Sequence, residues 1–182
     1  ASAAVTSNYN GAQISCNGAS NGVITVTGAG GTGSLQYVFD QFVLTNTTGQ
    51  FTGVFTGVPA GVGYTFTVRD SKNCTVVTLP IGVTQPTVVT ASGVVSSNFN
   101  GEDISCVGAS DGAITVTALG GTGTYSYKLD QVPANTSGDA TGIYTGLSAG
   151  MYTVTARDVN NCFIVTAPIT ITPPSVLTAT AA

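Results

Sequence analysis

The sequence predicts an all-β chain: two tandem antiparallel β-sandwich domains, each with about seven strands. Three observations predict it. One pattern of about 90 residues occurs twice. Val, Ile, Thr, Tyr and Phe dominate in short runs broken by Gly, Asn and Pro, which suits strands and turns. No segment repeats apolar residues at helical spacing over three turns, and 24 glycines in 182 residues disfavour helices.

The repeat sets the domain organisation. Asn8-Tyr9-Asn10-Gly11 returns as Asn98-Phe99-Asn100-Gly101, and Ile14-Ser15-Cys16 as Ile104-Ser105-Cys106. Ile24 to Thr27 returns as Ile114 to Thr117, and Gly30-Gly31-Thr32-Gly33 as Gly120-Gly121-Thr122-Gly123, all at an offset of 90. Arg69-Asp70, Asn73-Cys74 and Pro86 recur at an offset of 88. Two residues are therefore missing from the second copy between about Phe42 and Tyr64, where a surface loop absorbs the change. This gives one domain over 1–88 and a second over 89–182. The first residues align with Ala91 onward and the last with Thr90 onward, so two units cut from a longer array are expected.

Strands are predicted near residues 3–8, 22–28, 34–40, 42–45, 51–57, 64–70 and 74–84, with counterparts 88 to 90 later. Ile24 to Thr27 and Leu35 to Phe39 fit half-buried strands. Tyr64-Thr65-Phe66-Thr67-Val68 and Tyr152-Thr153-Val154-Thr155-Ala156 alternate strictly, apolar on one face and Thr on the other. Gly28 to Gly33 lacks the Lys and the helix of a phosphate-binding loop and reads as a hairpin turn. A unit of about 90 residues with turn signals every ten or so has the size of an immunoglobulin-like sandwich. Leu147-Ser148-Ala149-Gly150-Met151-Tyr152 places a Tyr after a tight turn, like the tyrosine corner of such folds, and Val58 to Tyr64 is its looser first-copy version. Between Ile81 and Asn98 there is one Pro, no charge and several β-branched residues. That pattern predicts a stiff passage from the last strand of one unit to the first of the next, with units of about 30–40 Å.

Each copy has two cysteines, Cys16 and Cys74, then Cys106 and Cys162, spaced by 58 and 56. Four cysteines allow three pairings. Because each unit then stands by itself, Cys16–Cys74 and Cys106–Cys162 are the expected pairs. A closed loop of that size stabilises by about 4 kcal/mol on the chain-entropy argument. Disulfides point to an oxidising, extracellular setting.

Composition excludes several functions. Only 7% of residues are charged, four Lys and Arg against eight Asp and Glu, against about 25% in average chains. Four scattered cations make no nucleic-acid footprint. No apolar run is long enough to span a membrane as a helix. With no His, the commonest proton shuttle is missing, and the Ser and Thr residues have no base partner. Glu102-Asp103 is the one adjacent carboxylate pair, and Ala12-Gln13 replaces it in the first copy, so no enzyme is expected.

Cofactors and metals are likewise expected to be absent. Asp70, Asn73, Asp158 and Asn161 are the calcium candidates, with Asp40 and Asp130 recurring beside them, since hard oxygen ligands on loops suit Ca²⁺. The competing reading is a turn built on Asp and Asn, and Lys72 opposes a cation there. Arg69 and Arg157 read as partners of the turn Asp in surface ion pairs. Asn46-Thr47-Thr48, Asn135-Thr136-Ser137 and Asn73-Cys74-Thr75 match the N-glycosylation pattern.

The recurring Asn-x-Asn-Gly and Ile-Ser-Cys-x-Gly-Ala-Ser-Asn/Asp-Gly, at Asn8 to Gly22 and Asn98 to Gly112, resemble the SprB repeat family. So do Gly-Gly-Thr-Gly at 30–33 and 120–123, and the Gly-Leu-Ser-Ala-Gly-x-Tyr-Thr-Val, Asp-x-Asn-x-Cys and Thr-Pro-Pro of the second copy, from Gly146 to Pro174. The resemblance implies a module of a large surface adhesin of gliding or adhesive Bacteroidota, exported by type IX secretion. The C-terminal secretion domain expected for that export is not in the sequence. The strands after Gly-Gly-Thr-Gly carry Tyr37, Tyr125 and Tyr127 where the family often has Trp.

The function expected is a structural and adhesive stalk or filament module at the bacterial cell surface. Its partners would be other repeats of the array, like chains in a filament, and a surface polysaccharide or other substratum. The alternative is a carbohydrate-binding module, with Tyr9, Phe99, Tyr37 and Tyr127 as stacking platforms.

Overall fold

A computed structural model describes residues 1–42 and 45–180. The described chain is built of antiparallel strands and divides into two compact units, Ala1–Val88 and Val89–Ala182.

In the first unit, β1 (Ser2–Val5), β2 (Gly22–Thr27) and β4 (Val54–Val58) form one sheet in the order β1-β2-β4. A second sheet joins β3 (Gln36–Phe39), β6 (Phe66–Arg69) and β7 (Thr75–Val77) in the order β3-β6-β7, and β5 (Gly61–Tyr64) pairs with β8 (Ile81–Val83). The second unit repeats this with β9 (Thr87–Val95), β10 (Gly112–Gly121), β11 (Ser126–Leu129) and β12 (Ile143–Leu147). Then come β13 (Gly150–Tyr152), β14 (Val154–Arg157), β15 (Phe163–Val165) and β16 (Ile169–Ile171). Its sheets run β12-β10-β9, β11-β14-β15 and β13-β16.

Period-two patterning explains the layers. Gly22, Ile24 and Val26 of β2 face inward while Val23, Thr25 and Thr27 do not. Phe39, Phe66 and Val68 of the facing sheet meet Ile24, Val26, Phe55 and Val58 in one core. Phe39 sits edge-on to Phe55 at 5.6 Å and to Tyr64 at 5.2 Å between ring centroids, geometry that rings favour. Ile114, Val116, Leu129, Tyr144, Leu147 and Val154 build the equivalent core of the second unit. Ile14 and Ile104 are fully buried, so the Ile of each Ile-Ser-Cys motif anchors its loop in the core.

The all-β sandwich expectation holds, with differences in detail. Of the strand expected at 42–45, residues 43 and 44 lie outside the described residues, and Asp40–Phe42 forms a 3₁₀ turn. Its counterpart in the second unit is bend and turn. Asp40 and Gln41 explain the turn: both make side-chain hydrogen bonds with Thr65, and Asp40 also accepts the Thr67 hydroxyl, which ties the segment back onto β6. The strand expected at 74–84 divides into β7 and β8 around Leu79-Pro80, because Pro cannot donate to a ladder. Buried Thr78 covers the break by accepting the Phe66 amide on its hydroxyl (3.2 Å) while its own amide donates to the Phe66 carbonyl (2.9 Å).

Tyr152 and Tyr64 form the corners. The Tyr152 hydroxyl donates to the Ser148 carbonyl (2.9 Å), and that of Tyr64 to the Pro59 carbonyl (3.2 Å).

Candidate functional site

Two loop clusters, one at each end of β2 and of its counterpart β10, hold many of the recurring polar residues. The leading cluster joins the Gly-Gly-Thr-Gly segment to the Asp-x-x-Asn-Cys hairpin. Asp70 accepts the Thr32 amide on Oδ2 (2.9 Å) and the amides of Lys72 (2.8 Å) and Cys74 (2.9 Å) on Oδ1. Asp158 repeats this with Thr122, Asn160 and Cys162, each at 2.9 Å. The amide bonds from Thr32 and then Cys74 hold the Asp70 carboxyl below the usual carboxylate range. Asn73 and Asn161 take left-handed φ of 67° and 65°, the conformation that Asn tolerates in such hairpins.

This geometry bears on calcium. Asp70 and Asp158 turn both oxygens toward N–H donors, whose positive ends would repel a cation. Asp40 accepts the hydroxyls of Thr65 and Thr67 at 2.8 Å each, and Asp130 those of Thr153 and Thr155 at 2.8 Å each. Among the described residues, no three Cys, Asp or Glu side chains gather in a metal-binding group.

The trailing cluster lies at the other end of β2. Ser7 donates to the Gln13 carbonyl (2.6 Å) and accepts the Val23 amide (2.9 Å), and the Ser15 amide donates to Asn21 (3.0 Å). Gln13 Oε1 accepts the Thr84 amide (2.7 Å) and hydroxyl (3.0 Å), tying the loop to the chain after β8. In the second unit Asp103 does the work of Gln13, accepting the Thr172 hydroxyl (2.6 Å) and amide (2.7 Å). These bonds, the hydroxyl first, lower the Asp103 pKa. Asp103, of the one adjacent carboxylate pair, is thus a clasp. Sequence reading missed this Gln13/Asp103 role, although the recurrence of Thr84 as Thr172 at an offset of 88 was its signal.

The cysteines depart from expectation. Cys16 and Cys162 are disulfide-bonded, and Cys74 and Cys106 are free exposed thiols. Neither Cys16–Cys74 nor Cys106–Cys162 forms. The reason is their position. Cys16 lies in the trailing cluster, where Asn17 donates to the Pro86 carbonyl (3.0 Å) and the Gly18 amide to Gln85 (2.9 Å). Cys74 lies in the leading cluster beside Asp70. Between them runs β2, whose six residues span about 20 Å at the rise of a strand. A disulfide needs Cα atoms within about 7 Å.

Other sequence candidates, Phe99 apart, make contacts within the fold. The Tyr9 hydroxyl donates to the Asn21 carbonyl (2.9 Å), Tyr37 and Tyr127 are half-buried against the cores, and Phe99 is 36% exposed. Asn46 of the first N-x-Thr motif donates its amide to the Thr56 carbonyl (2.8 Å) and accepts the Thr48 hydroxyl (2.8 Å). Asn135 repeats this with Thr145 (2.8 Å) and Ser137 (2.7 Å). At these two motifs the Asn and hydroxyl side chains staple the loop. Arg69 donates to Gln36 (3.0 Å), and Arg157 lies 4.8 Å over the Phe163 ring, in place of the ion pairs expected with the turn Asp.

Comparison with known proteins agrees with the recurring motifs. The SprB repeat model matches the chain at residues 8–40 and again at 98–133, so the family resemblance holds in both units. No curated protein matches the chain. Among solved structures, a C-terminal fragment of intimin, determined with the intimin-binding domain of its translocated receptor, is similar at 17% identity and a TM-score of 0.37. That similarity covers 84% of this chain and 57% of the intimin fragment. The fibronectin(III)-like modules of Clostridium thermocellum CbhA are similar at 16% identity and a TM-score of 0.32, covering 93% of each chain.

Proposed function

We propose that this chain is a non-catalytic structural module of a cell-surface adhesin, two of the repeated units that carry an adhesive part away from the cell. The two SprB repeat matches support a surface adhesin-type module. One observation carries the non-catalytic reading. The carboxylates of Asp70, Asp158, Asp40, Asp130 and Asp103 are taken up by hydrogen bonds from backbone amides and Thr hydroxyls that tie segments of the fold together. An extracellular setting fits the family match, and no helix among the described residues is long and apolar enough to cross a membrane.

The stalk, the gliding role and type IX export belong to the same proposal. The test is retention under flow of beads coated with the 182-residue chain, on glass and on polysaccharide gel, against beads coated with an unrelated sandwich domain. A stalk segment gives no more retention than the control. Retention on gel that free oligosaccharide abolishes would replace the stalk reading with a carbohydrate-binding one.

A further inference from the structure

The sequence has four Asn-Gly steps, at 10–11, 17–18, 21–22 and 100–101. Asn followed by Gly is the step at which a chain most readily loses ammonia. The Gly nitrogen gives up its proton and attacks Cγ of the Asn side chain, with no Cβ on Gly to hinder it. The Gly N–Asn Cγ bond forms, the Cγ–Nδ2 bond breaks, and the side-chain nitrogen leaves as ammonia with that proton. Water then opens the succinimide ring to Asp or isoaspartate.

Three of the four steps are exposed: Asn10-Gly11, Asn17-Gly18 and Asn100-Gly101. The fold demands Gly there, because Gly11, Gly18 and Gly101 take φ of 96°, 77° and 102°. Asn10-Gly11 and Asn100-Gly101 are two-residue turns with both residues at positive φ, the geometry that selects Asn-Gly. The chemical hazard therefore comes with the turn.

At each of the three, the Gly amide donates to a side-chain carboxamide oxygen. Gly11 donates to Asn8 Oδ1 (2.7 Å), Gly101 to Asn98 Oδ1 (2.7 Å) and Gly18 to Gln85 Oε1 (2.9 Å). Satisfying the donor does not require these bonds, since an exposed amide can bond to water. A side-chain acceptor does what water does not: it keeps base away from the one proton that must leave. The backbone opposes the rotation that the attack needs. Tyr9 and Ala12 exchange two amide–carbonyl bonds across the first turn (2.7 and 3.1 Å), and Phe99 and Glu102 across the second (2.8 and 3.2 Å). Asn17 is held at the leaving nitrogen, which donates to the Pro86 carbonyl (3.0 Å). The fourth step is protected otherwise. Gly22 is buried at the start of β2, and the Asn21 carboxamide accepts the Ser15 amide (3.0 Å) and donates to the Ser15 hydroxyl (2.7 Å).

We propose that Asn10, Asn17 and Asn100 are latent deamidation sites, and that Asn8, Gln85 and Asn98 are positioning residues that keep them unreacted by capping the attacking Gly amide. The same device serves both units at one turn and a third site by an unrelated residue 67 positions away, so it follows the Asn-Gly step and not the repeat. This goes beyond the adhesin reading and does not rest on it.

The experiment uses the full chain with Asn8→Ala, Asn8→Asp and Gln85→Ala, incubated folded at mildly alkaline pH. Peptide mass spectrometry follows deamidation at each Asn, and the parent unfolded in guanidinium with reductant gives the unprotected rate. Far-UV circular dichroism and melting confirm that the variants fold. The folded parent is expected to react far more slowly than the unfolded chain at all four steps. Asn8→Ala should speed Asn10 about ten-fold, the worth of one such bond, and leave Asn17 and Asn100 at the parent rate. Gln85→Ala should speed Asn17 alone. Asn8→Asp, which keeps an acceptor oxygen, should hold Asn10 at the parent rate or below. Three results would each overturn the inference: a folded parent that deamidates at Asn10 as fast as the unfolded chain, an Asn8→Ala variant with no change at Asn10, or one that speeds all sites alike, which reports general loosening.

Discussion

Tyr144 allows a sharp test of how the second core is held. It is fully buried, its hydroxyl donates to Asp139 Oδ1 (2.9 Å), and Phe55 occupies the equivalent place in the first unit. The first unit thus shows that the ring alone fits: Gly49 lies against Phe55 and Gly138 against Tyr144, each with a built Cβ at 2.6 Å from the ring. Tyr144→Phe therefore leaves packing intact and removes one hydrogen bond to a carboxylate. Because Asp139 is partly solvated, the loss falls near the low end for such bonds, about 1–2 kcal/mol. For a unit of this size that is a fall in Tm of roughly 5–10 °C. The pH dependence is the stronger readout. Burial, then the hydrogen bond and charge of Asp139, raise the Tyr144 pKa well above that of a free phenol. In the unfolded chain the phenol ionises near pH 10, while in the fold it stays protonated. Stability from this group is present in full below about pH 10 and is lost as pH rises toward the folded value, at about 1.4 kcal/mol per pH unit for one proton. Hydrogen exchange at the amides of β10 and β14, followed from pH 8 to 11 in denaturant, reads the second unit separately. Tyr144→Phe should flatten the alkaline decline there relative to the parent. A decline of unchanged slope would show that Tyr144 is free to ionise in the fold and would refute the reasoning.

Other consequences can be checked directly. Maleimide labelling without reductant, read by peptide mass spectrometry, should mark Cys74 and Cys106 and spare Cys16 and Cys162 until reduction; protection of all four would restore the within-copy pairs. Gly142→Ala should cost the second unit about 2–4 kcal/mol, because φ is +76° and the new methyl would meet the Val116 carbonyl oxygen at 2.3 Å, forcing open the bond from the Val116 amide to Gly142; a loss below 1 kcal/mol in denaturant titration would contradict this. Tyr152→Phe should cost about 1 kcal/mol by removing the bond to the Ser148 carbonyl, read the same way. Asp70, Asp103 and Asp111 have pKa values lowered by hydrogen bonds from Thr32, Thr172 and Ser105 first among their causes. Their contribution is complete above the unfolded carboxylate value of about 4 and disappears as pH falls through the lower folded values. Thermal melts from pH 6 to pH 2 should show that acid decline, and Asp103→Asn should reduce it; an equal decline would assign it elsewhere.

The repeat, the strand-rich composition and the alternation in Tyr64 to Val68 and Tyr152 to Ala156 were enough to determine an all-β sandwich architecture. Period-two patterning states which face is buried, and it does so locally. The corner tyrosines were readable for the same reason, since ring and acceptor lie within five residues. The polar residues were not. Asp70, Asp103 and Asn46 look in sequence like a metal ligand, an acid and a glycan acceptor. The local half of this was legible as a turn built on Asp and Asn, since Asp70 holds Lys72 and Cys74 and Asn46 holds Thr48. Each also takes a partner from a segment 10 to 69 residues away, and only the packed chain shows that those partners are amides, hydroxyls and carbonyls. The cysteines make the same point through distance. Spacings of 58 and 56 are compatible with a bridge in each copy, but spacing carries no direction. The tertiary structure decided it, because β2 runs between the two loop clusters and holds Cys16 and Cys74 a strand's length apart.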